Sequence, residues 1–451
     1  MINDYECDVL VCGAGSAGCC AAIAAARNGV STIVVEESDI IGGTIVQSLV
    51  YPLMTFHAAP NLQVIKGIPE EIVGTAVREG SQGHIPDPLG CAPTITMIEP
   101  EQFSSCVYQK MMQAGVIIIN NTKVVNIIRD EQAIIGVIAH TDDNQIVSIN
   151  AKVVIDATGD ADIACLAGVP YVYGRISDNK TQPMTLIFTM RNVNNNVVRQ
   201  YIKDNPTEFV LSHEARNNIV EVPYLAVSGF FRLVREAQQK EGLVSFRDRV
   251  LYFETAQKGE VSVNMTRIFD MDGSNENEVE KARGTALLQV QECYRLFKHY
   301  IPGFEDAYIH TIAPKIGVRE TRHIVGKYTL SAQDVLSGRK FDDGVACGAF
   351  PIDIHSPDGS AINMQKMPQG TYYTIPYRCL IPENIESLIV AGRSISATHE
   401  ASASARLAPT CMALGEAAGT AAAVSVRKNT RISLLDSSEI RQELIGQGVF
   451  L

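Results

Sequence analysis

Residues 8–43, DVLVCGAGSAGCCAAIAAARNGVSTIVVEESDIIGG, constrain what this chain can fold into more than any other stretch. An apolar run over 9–12 breaks at Gly13-Ala14-Gly15-Ser16-Ala17-Gly18 and resumes as an alanine-rich helix. A turn at Asn28-Gly29 leads into a second apolar run over 32–35, which ends in Glu36 and Glu37. Each glycine has a mechanical task. Gly13 permits the tight turn, Gly15 lets the backbone approach a pyrophosphate, and Gly18 lets helix and strand pack closely. The free N–H groups of the helix start face the anion. Glu36, 23 positions after Gly13, sets a carboxylate at the end of the second strand, where it accepts ribose hydroxyl hydrogens. Strand, glycines, helix, strand and acid in this order specify a dinucleotide-binding unit.

Three later outposts bear on which dinucleotide is bound: Gly42-Gly43-Thr44, Asp156-Ala157-Thr158-Gly159-Asp160 and Ile389-Val390-Ala391-Gly392-Arg393. Together with the first fingerprint they resemble the two-dinucleotide-binding-domain flavoproteins, whose FAD meets the chain repeatedly. The whole chain resembles the FAD-dependent oxidoreductase family, distantly related to the fumarate reductase and succinate dehydrogenase flavoproteins. Four stretches carry the likeness: Gln182-Pro183-Met184-Thr185, Gly317-Val318-Arg319-Glu320-Thr321-Arg322, Ile375-Pro376-Tyr377-Arg378 and residues 391–423. The redox-disulfide branch (glutathione reductase and its kin) is disfavoured, because no cysteine pair follows Gly42-Gly43. No second GxGxxG follows a strand, so a dedicated NAD(P)H domain is not expected.

The resemblance implies an α/β fold: a Rossmann-like FAD-binding domain of the glutathione-reductase type (GR2-like) with an inserted mixed or antiparallel-sheet substrate domain. The expected division is 1–170 and 375–430 for FAD, 171–374 for the substrate or capping domain, and 431–451 as a tail. The expected FAD contacts are Gly13, Ala14, Gly15, Ser16, Ala17, Gly18, Glu36, Glu37, Gly42, Gly43, Thr44, Val125, Ala157, Thr158, Gly159, Gly392, Arg393, Thr410 and Gly415. The helix beginning near Pro409-Thr410 is implied to point its N-terminus at the flavin pyrimidine, where N–H groups stabilise charge gathering on reduction. Close packing through small residues is the other reading of Gly415 and Gly419. No attachment histidine stands just after Gly42-Gly43, His57 being the nearest, so the FAD is expected to be non-covalent.

At 451 residues the chain is long for one core, which agrees with two intertwined domains. A net charge of −12 without a basic stripe argues against a nucleic-acid partner. No apolar run reaches membrane-spanning length, and the acidic start, Met1 to Glu6, is unlike a signal peptide. The 11 cysteines contain no CxxC pair and read as reduced, mostly buried thiols, Cys19 and Cys20 among them. A cytoplasmic location is the expectation. No two histidines show metal-ligand spacing, and no metal is expected.

Along the chain, residues 45–95 read as Gly- and Pro-rich excursions that cover the flavin or its mouth. A helix over 101–114 and strands over 116–120, 122–128, 133–140, 145–149 and 153–157 follow. Beyond about residue 170, strands are expected over 185–191, 249–255, 261–269, 308–312 and 349–354. A long helix starting near Ser274 carries the stripe Val279, Ala282, Ala286, Val290, Cys293 and Phe297. The last helix spans about 409–427.

Four residues are candidates for catalysis. The order Ala-Gly, then His399, then Arg406-Leu407, then helix resembles the fumarate-reductase arrangement, in which His and Arg hold a substrate carboxylate beside the flavin. Here the separation is longer by a couple of residues, and Leu407-Ala408-Pro409 replaces a Gly pair. Arg406 paired with Glu400, and His399 as a hydrogen-bonded loop residue, are the structural alternatives. In Arg319-Glu320-Thr321-Arg322-His323 an extended backbone would turn Arg319, Thr321 and His323 to one face. Arg319 then either grips an anionic oxygen or pairs with Glu320 to lock the domains. His355 is an acid or base with Asp353 on the same strand face, or a histidine of the surface turn at Ser356-Pro357-Asp358-Gly359. Tyr372, Tyr373 and Tyr377 either border the flavin or edge a sheet.

These residues lead to an FAD-dependent oxidoreductase that moves hydride between flavin N5 and a small polar substrate, a hydroxy compound or an activated alkene or carboxylate. The alternative is a flavin-carrying subunit of a larger electron-transfer complex. A third reading, a flavin-containing tRNA-modifying protein, is opposed by the acidic balance. A homo-oligomer or an electron-transfer partner remains open.

Overall fold

The computed structural model describes residues 2–77, 83–357 and 362–451. Residues 78–82 of the 45–95 excursion, and the end of the turn after His355, lie outside the described residues. Its opening unit is strand β1 (Ile2–Cys12), helix α1 (Ser16–Arg27) and strand β2 (Thr32–Val35). They join a seven-stranded sheet in the order Ile117–Ile119, β2, β1, Ile146–Asp156, Ala133–Thr141, Thr122–Asp130, with Leu388–Val390 pairing onto Ile146–Asp156. The central pairings are parallel, with Val9 opposite Thr32 on one side and Val153 on the other. Val9, Leu10, Val11 and Cys12 are all at most 1% exposed, the continuous burial of a parallel strand covered on both faces.

Ala, Cys and Ile make up most of α1, and every residue from Ala17 to Ala25 is buried. Such short side chains let the helix Ala408–Lys428 lie almost against its backbone. A Cβ added to Gly415 would sit 2.0 Å from the Ala17 carbonyl oxygen, and one on Gly419 would sit 2.1 Å from that of Ala21. The two glycines are thus a packing device joining chain segments nearly 400 residues apart.

A second sheet of five antiparallel strands runs Ala226–Gly229, Val250–Glu254, Val261–Val263, Phe188–Arg191, Tyr308–Ile312. The helix Glu276–Tyr300 starts at Asn275, whose side chain caps the N–H groups of Asn277 and Glu278. Its stripe Ala282, Ala286, Val290, Cys293 and Phe297 is fully buried, while Val279 is partly so.

The strands expected over 145–149 and 153–157 form one continuous strand, Ile146–Asp156, and three other strands also differ from expectation. The run expected over 261–269 stops at Val263, and the one expected from 185 starts at Phe188. Their missing ends meet each other instead: Met184 bridges Ile268, and Thr185 bridges Gly317. The strand expected over 349–354 starts only at Ile352 and runs to His355, and a separate strand, Gly344–Gly348, ends before it. Pro351 lies in the break and has no N–H to contribute to a ladder. Residues 182–187 thereby become an irregular hub rather than part of a sheet.

Candidate active site and cofactor cleft

The turn after β1 is built from main chain. Gly13 has φ +96°, and its N–H donates to Val35 O at 2.8 Å. A Cβ there would approach the Ala157 carbonyl oxygen to 2.7 Å, and one on Gly18 would strike Gly13 O at 1.8 Å. Gly15 is the N-cap of α1, with no side-chain cap and no acidic residue in the first turn. A Cβ on Gly15 would meet only the Gly43 Cα, at 3.9 Å, so the space before these N–H groups is open. Gly43, with φ +56°, closes the other side: its own Cβ would come within 2.8 Å of Gly15 Cα. This cradle suits a pyrophosphate at a helix start.

Glu36 stands at the end of β2, 7% exposed. Its Oε2 accepts from Ala14 N at 2.7 Å, and its Oε1 from the Ser38 hydroxyl at 2.9 Å. Burial pushes its carboxyl up, against the pull of those donors. A cleft of about 930 Å³ runs past these groups. Gly13, Gly15, Glu36, Glu37, Gly43, Thr44, Val125, Ala157, Thr158 and Arg393 line it, as do Lys123, Asp160, Arg283, Lys315 and Val318, which sequence reasoning passed over. Arg393 donates to Val318 O at 3.0 Å and pairs with Asp160. The glycine cradle and the carboxylate at the strand end fit an adenine dinucleotide.

Other expected contacts do not line that cleft. Gly18 and Gly415 are spent on close backbone packing, and a Cβ on Gly392 would press the Ala17 methyl at 3.2 Å. Thr410 is buried in the first turn of Ala408–Lys428. Ala14, Gly42 and Gly159 lie in the loops, and Ser16 and Ala17 in the first turn of α1, close in sequence to lining residues. Asp156, fully buried, accepts from the Thr158 hydroxyl at 2.7 Å and from Ala164 N at 2.9 Å, so it holds the Ala157-Thr158-Gly159 turn in place. Burial pushes its carboxyl up to about 6.

Residues 315–320 connect this cleft to a second constellation. Lys315, Ile316 and Val318 face the cleft; Gly317 is doubly hydrogen-bonded to Thr185, at 2.8 and 3.0 Å. Arg319 and Glu320 follow at once. Glu320 Oε1 faces His399 Nδ1 at 2.8 Å and His323 Nε2 at 3.4 Å, and its Oε2 accepts from Gln182 N at 3.0 Å. Burial works against the charge of this carboxylate, but the bonds to His323 and His399 outweigh it and hold Glu320 down to about 2. The side-chain oxygen of Gln182 accepts from Arg406 and from His355 N, each at 3.3 Å. His355 Nε2 lies 3.4 Å from Asp353 Oδ2. Burial, then the charge of Arg319, pulls His355 down to about 3, so it is neutral at pH 7.

Several sequence expectations need correction here. Only Arg322–Ile324 is strand, so Arg319, Thr321 and His323 do not share a face. Arg319 donates to Pro183 O and the Thr185 hydroxyl, whereas Thr321 donates to Asp160 at 2.6 Å. Glu320 is bound to two histidines instead of Arg319, and Arg406 turns to Gln182 instead of Glu400. His355 is buried at 9% exposure and is no surface-turn residue. Tyr373 and Tyr377 are structural, bonded to Ser404 at 2.8 Å and to Ile432 O at 3.0 Å. Gln182 and Glu320, which tie the group together, were visible only as members of motif stretches.

The constellation has unspent hydrogen-bonding capacity. Gln182 Nε2, Arg406 Nε, His355 Nδ1 and Asp353 Oδ1 are buried with no partner among the described residues. Buried polar atoms are rarely left so, and these four belong to side chains of one connected constellation. Among the described residues no group of three or more His, Cys, Asp or Glu could hold a metal ion. Nor is any described helix long and apolar enough to cross a membrane.

The model of the FAD dependent oxidoreductase family matches residues 8–444. No curated protein matches the chain. Among solved structures it is similar to a geranylgeranyl bacteriochlorophyll reductase-like protein from Thermoplasma acidophilum, with 16% identity over 99% of this chain and 85% of that one, TM-score 0.46. It is also similar to the flavin-dependent brominase Bmp2 (13% identity, 94% of this chain and 80% of that one, TM-score 0.48). A third is L-proline dehydrogenase from P. horikoshii, with 11% identity over 95% of each chain, TM-score 0.44.

Proposed function

Because the chain belongs to the FAD-dependent oxidoreductase family, we propose that it exchanges hydride between its FAD and a small hydroxy or oxo acid bound among His399, Arg406, Gln182 and His355. The pyrophosphate of FAD would be held by the Gly13–Gly15 turn and Gly43, the adenosine ribose by Glu36, and the remainder by Thr44, Thr158, Lys315 and Arg393. When bound, FAD supplies a ring that takes up or returns a hydride.

The protein side chains supply the rest. Ionised Glu320 accepts the Nδ1–H of His399, which fixes the ring and leaves Nε2 to take a substrate proton. In the oxidative direction, a C–H bond beside a hydroxyl gives up hydride, the hydroxyl proton passes to His399 Nε2, and a carbonyl forms. In the reverse direction His399 returns that proton to the oxygen. Arg406 offers a guanidinium whose Nε is unspent, and Gln182 an amide N–H₂ in the same state, to orient the substrate carboxylate. The observation that carries this reading is the buried chain His399–Glu320–Gln182–Arg406, which couples a base to an anion-binding group.

Anaerobic spectroscopy of the purified holoprotein tests it. A panel of 2-hydroxy acids should bleach the oxidised flavin band, and a panel of 2-oxo acids should restore it after photoreduction. Silence towards both panels, or an Arg406→Gln variant that responds like the parent, would remove the proposal.

A further inference from the structure

Arg247 and Arg267 are 5% and 7% exposed, and neither has a carboxylate partner among the described residues. The Nε of each is buried without a hydrogen bond, and the Arg247 guanidinium reaches only Asn264 O, at 3.5 Å. The nearest acids are committed elsewhere. Asp248 is bound bidentately by Arg249 at 2.8 and 2.9 Å, and Asp353 faces His355. The backbone of Arg267 is fixed on the Gln289 side chain by bonds of 2.7 and 2.9 Å, so this guanidinium is mounted on the long helix Glu276–Tyr300.

The backbone places this pair beside the constellation already described. Thr266 and Ile268 flank Arg267 and bond to Leu186 and Met184, while Arg319 donates to Pro183 O and the Thr185 hydroxyl. Arg267, Arg319 and Arg406 are therefore gathered around residues 182–186, and Arg247 reaches Asn264 O, three residues before Arg267. Burial first, then the charges of Arg406 and Arg267, and further off that of Arg247, press Arg319 downward. Counting Arg249, five guanidinium groups stand against three carboxylates: Asp248 is held by Arg249, and Asp353 and Glu320 are each already engaged with histidine. An uncompensated buried charge is strongly unfavourable, and guanidinium forks match oxyanions.

We infer that Arg247 and Arg267 form a second anion subsite, which holds an oxyanion group of the substrate remote from the carboxylate assigned to Arg406. This inference rests on the substrate reading above. The substrate class is then a small molecule with an anionic group at each end, a carboxylate at Arg406 and a further carboxylate or a phosphate at Arg247 and Arg267.

Thermal unfolding of the FAD-loaded protein tests the subsite, with millimolar sulfate compared against sodium chloride at matched ionic strength. Sulfate should raise the midpoint saturably in the parent protein. In Arg247→Gln and Arg267→Gln that gain should vanish, while the anion-free midpoint holds or rises because a buried charge has gone. Arg267→Lys, which keeps the charge and loses the fork, should retain a weakened gain, and it carries the test should a Gln variant fail to accumulate. No sulfate gain in the parent, an equal gain in both Gln variants, or no gain in a folded Arg267→Lys overturns the subsite. Arg406→Gln separates the two ideas: it should lose the perturbation of the flavin band by acetate yet keep the sulfate gain. An unchanged acetate response in Arg406→Gln counts against the carboxylate at Arg406 alone, and the sulfate comparison still decides the second subsite.

Discussion

The cofactor cleft and the arginine–histidine constellation lie on either side of residues 315–320, yet they are made of different material. At the helix start of the cleft the main chain does most of the holding: glycines at 13, 15 and 43 bring N–H groups and open space together, and the charged side chains, Glu36, Lys315 and Arg393 among them, stand along the walls beyond. In the constellation the backbone only brings side chains together, and the chemistry sits on Glu320, His399, Gln182 and the arginines. A site made of backbone is damaged by adding atoms. A site made of side chains is damaged by exchanging a functional group of the same size.

That difference can be broken from either side. The largest effect is expected for Gly43→Val, whose Cβ would lie 2.8 Å from Gly15 Cα in a left-handed conformation. FAD content, read as the ratio of flavin to protein absorbance, should fall to background, and turnover should be lost with it. Next comes His399→Asn, which should cost about 10²–10⁴ in kcat, the usual worth of a general base. Its flavin content should stay that of the parent, and a loss of flavin there would erase the division between the sites. Glu320→Gln is a smaller perturbation. It keeps an acceptor for His399 and removes the charge, so the limb of the pH–rate profile that reports the base should move to lower pH.

Two buried groups sharpen the contrast through stability. His355, on the constellation side, titrates at about 3 in the folded chain against 6.5 as its ordinary value. The unfolded chain therefore binds the extra proton first. Stability should be complete above 6.5 and fall as pH drops toward 3, by up to about 1.4 kcal/mol per pH unit. His355→Gln should flatten that slope in urea midpoints measured across pH. On the helix Ala408–Lys428 that packs on α1, Glu416 caps the helix Ile68–Ala76 by accepting from Ile68 N at 3.1 and 3.2 Å. Burial pushes its carboxyl up to about 8 from 4.5. Here the sign reverses: the contribution is whole below 4.5 and is lost as pH rises through 8. Glu416→Gln should gain on the parent progressively from about pH 4.5 upward and be the more stable protein at pH 8.

The same contrast explains how much could be read from the chain. The opening strand, glycines, helix and Glu36 were legible because their function is carried by local spacing, and a turn with positive φ leaves its mark as glycine. The long helix was legible by its buried stripe. Gln182 was not legible: its importance comes from meeting Glu320, His355 and Arg406, residues brought to it by topology over more than 130 positions of sequence. Arg247 and Arg267 were equally silent, since a sequence shows that an arginine is present and not that its counter-charge is missing. The face expected to unite Arg319, Thr321 and His323 failed because the backbone there is irregular until Arg322. Alternation of side chains holds only where a strand is regular.

The interlock of Gly415 and Gly419 with the carbonyls of Ala17 and Ala21 has a consequence for biosynthesis. The first nucleotide-binding turn emerges from the ribosome early, but the helix that braces it is among the last segments made. A nascent chain halted before residue 408 exposes the alanine face of α1 to water and lacks the helix that packs on the carbonyls of Ala17 and Ala21. The helix that carries the cradle is thus buried only once the last segments are made, so tight flavin retention is expected of the full chain and not of an N-terminal fragment.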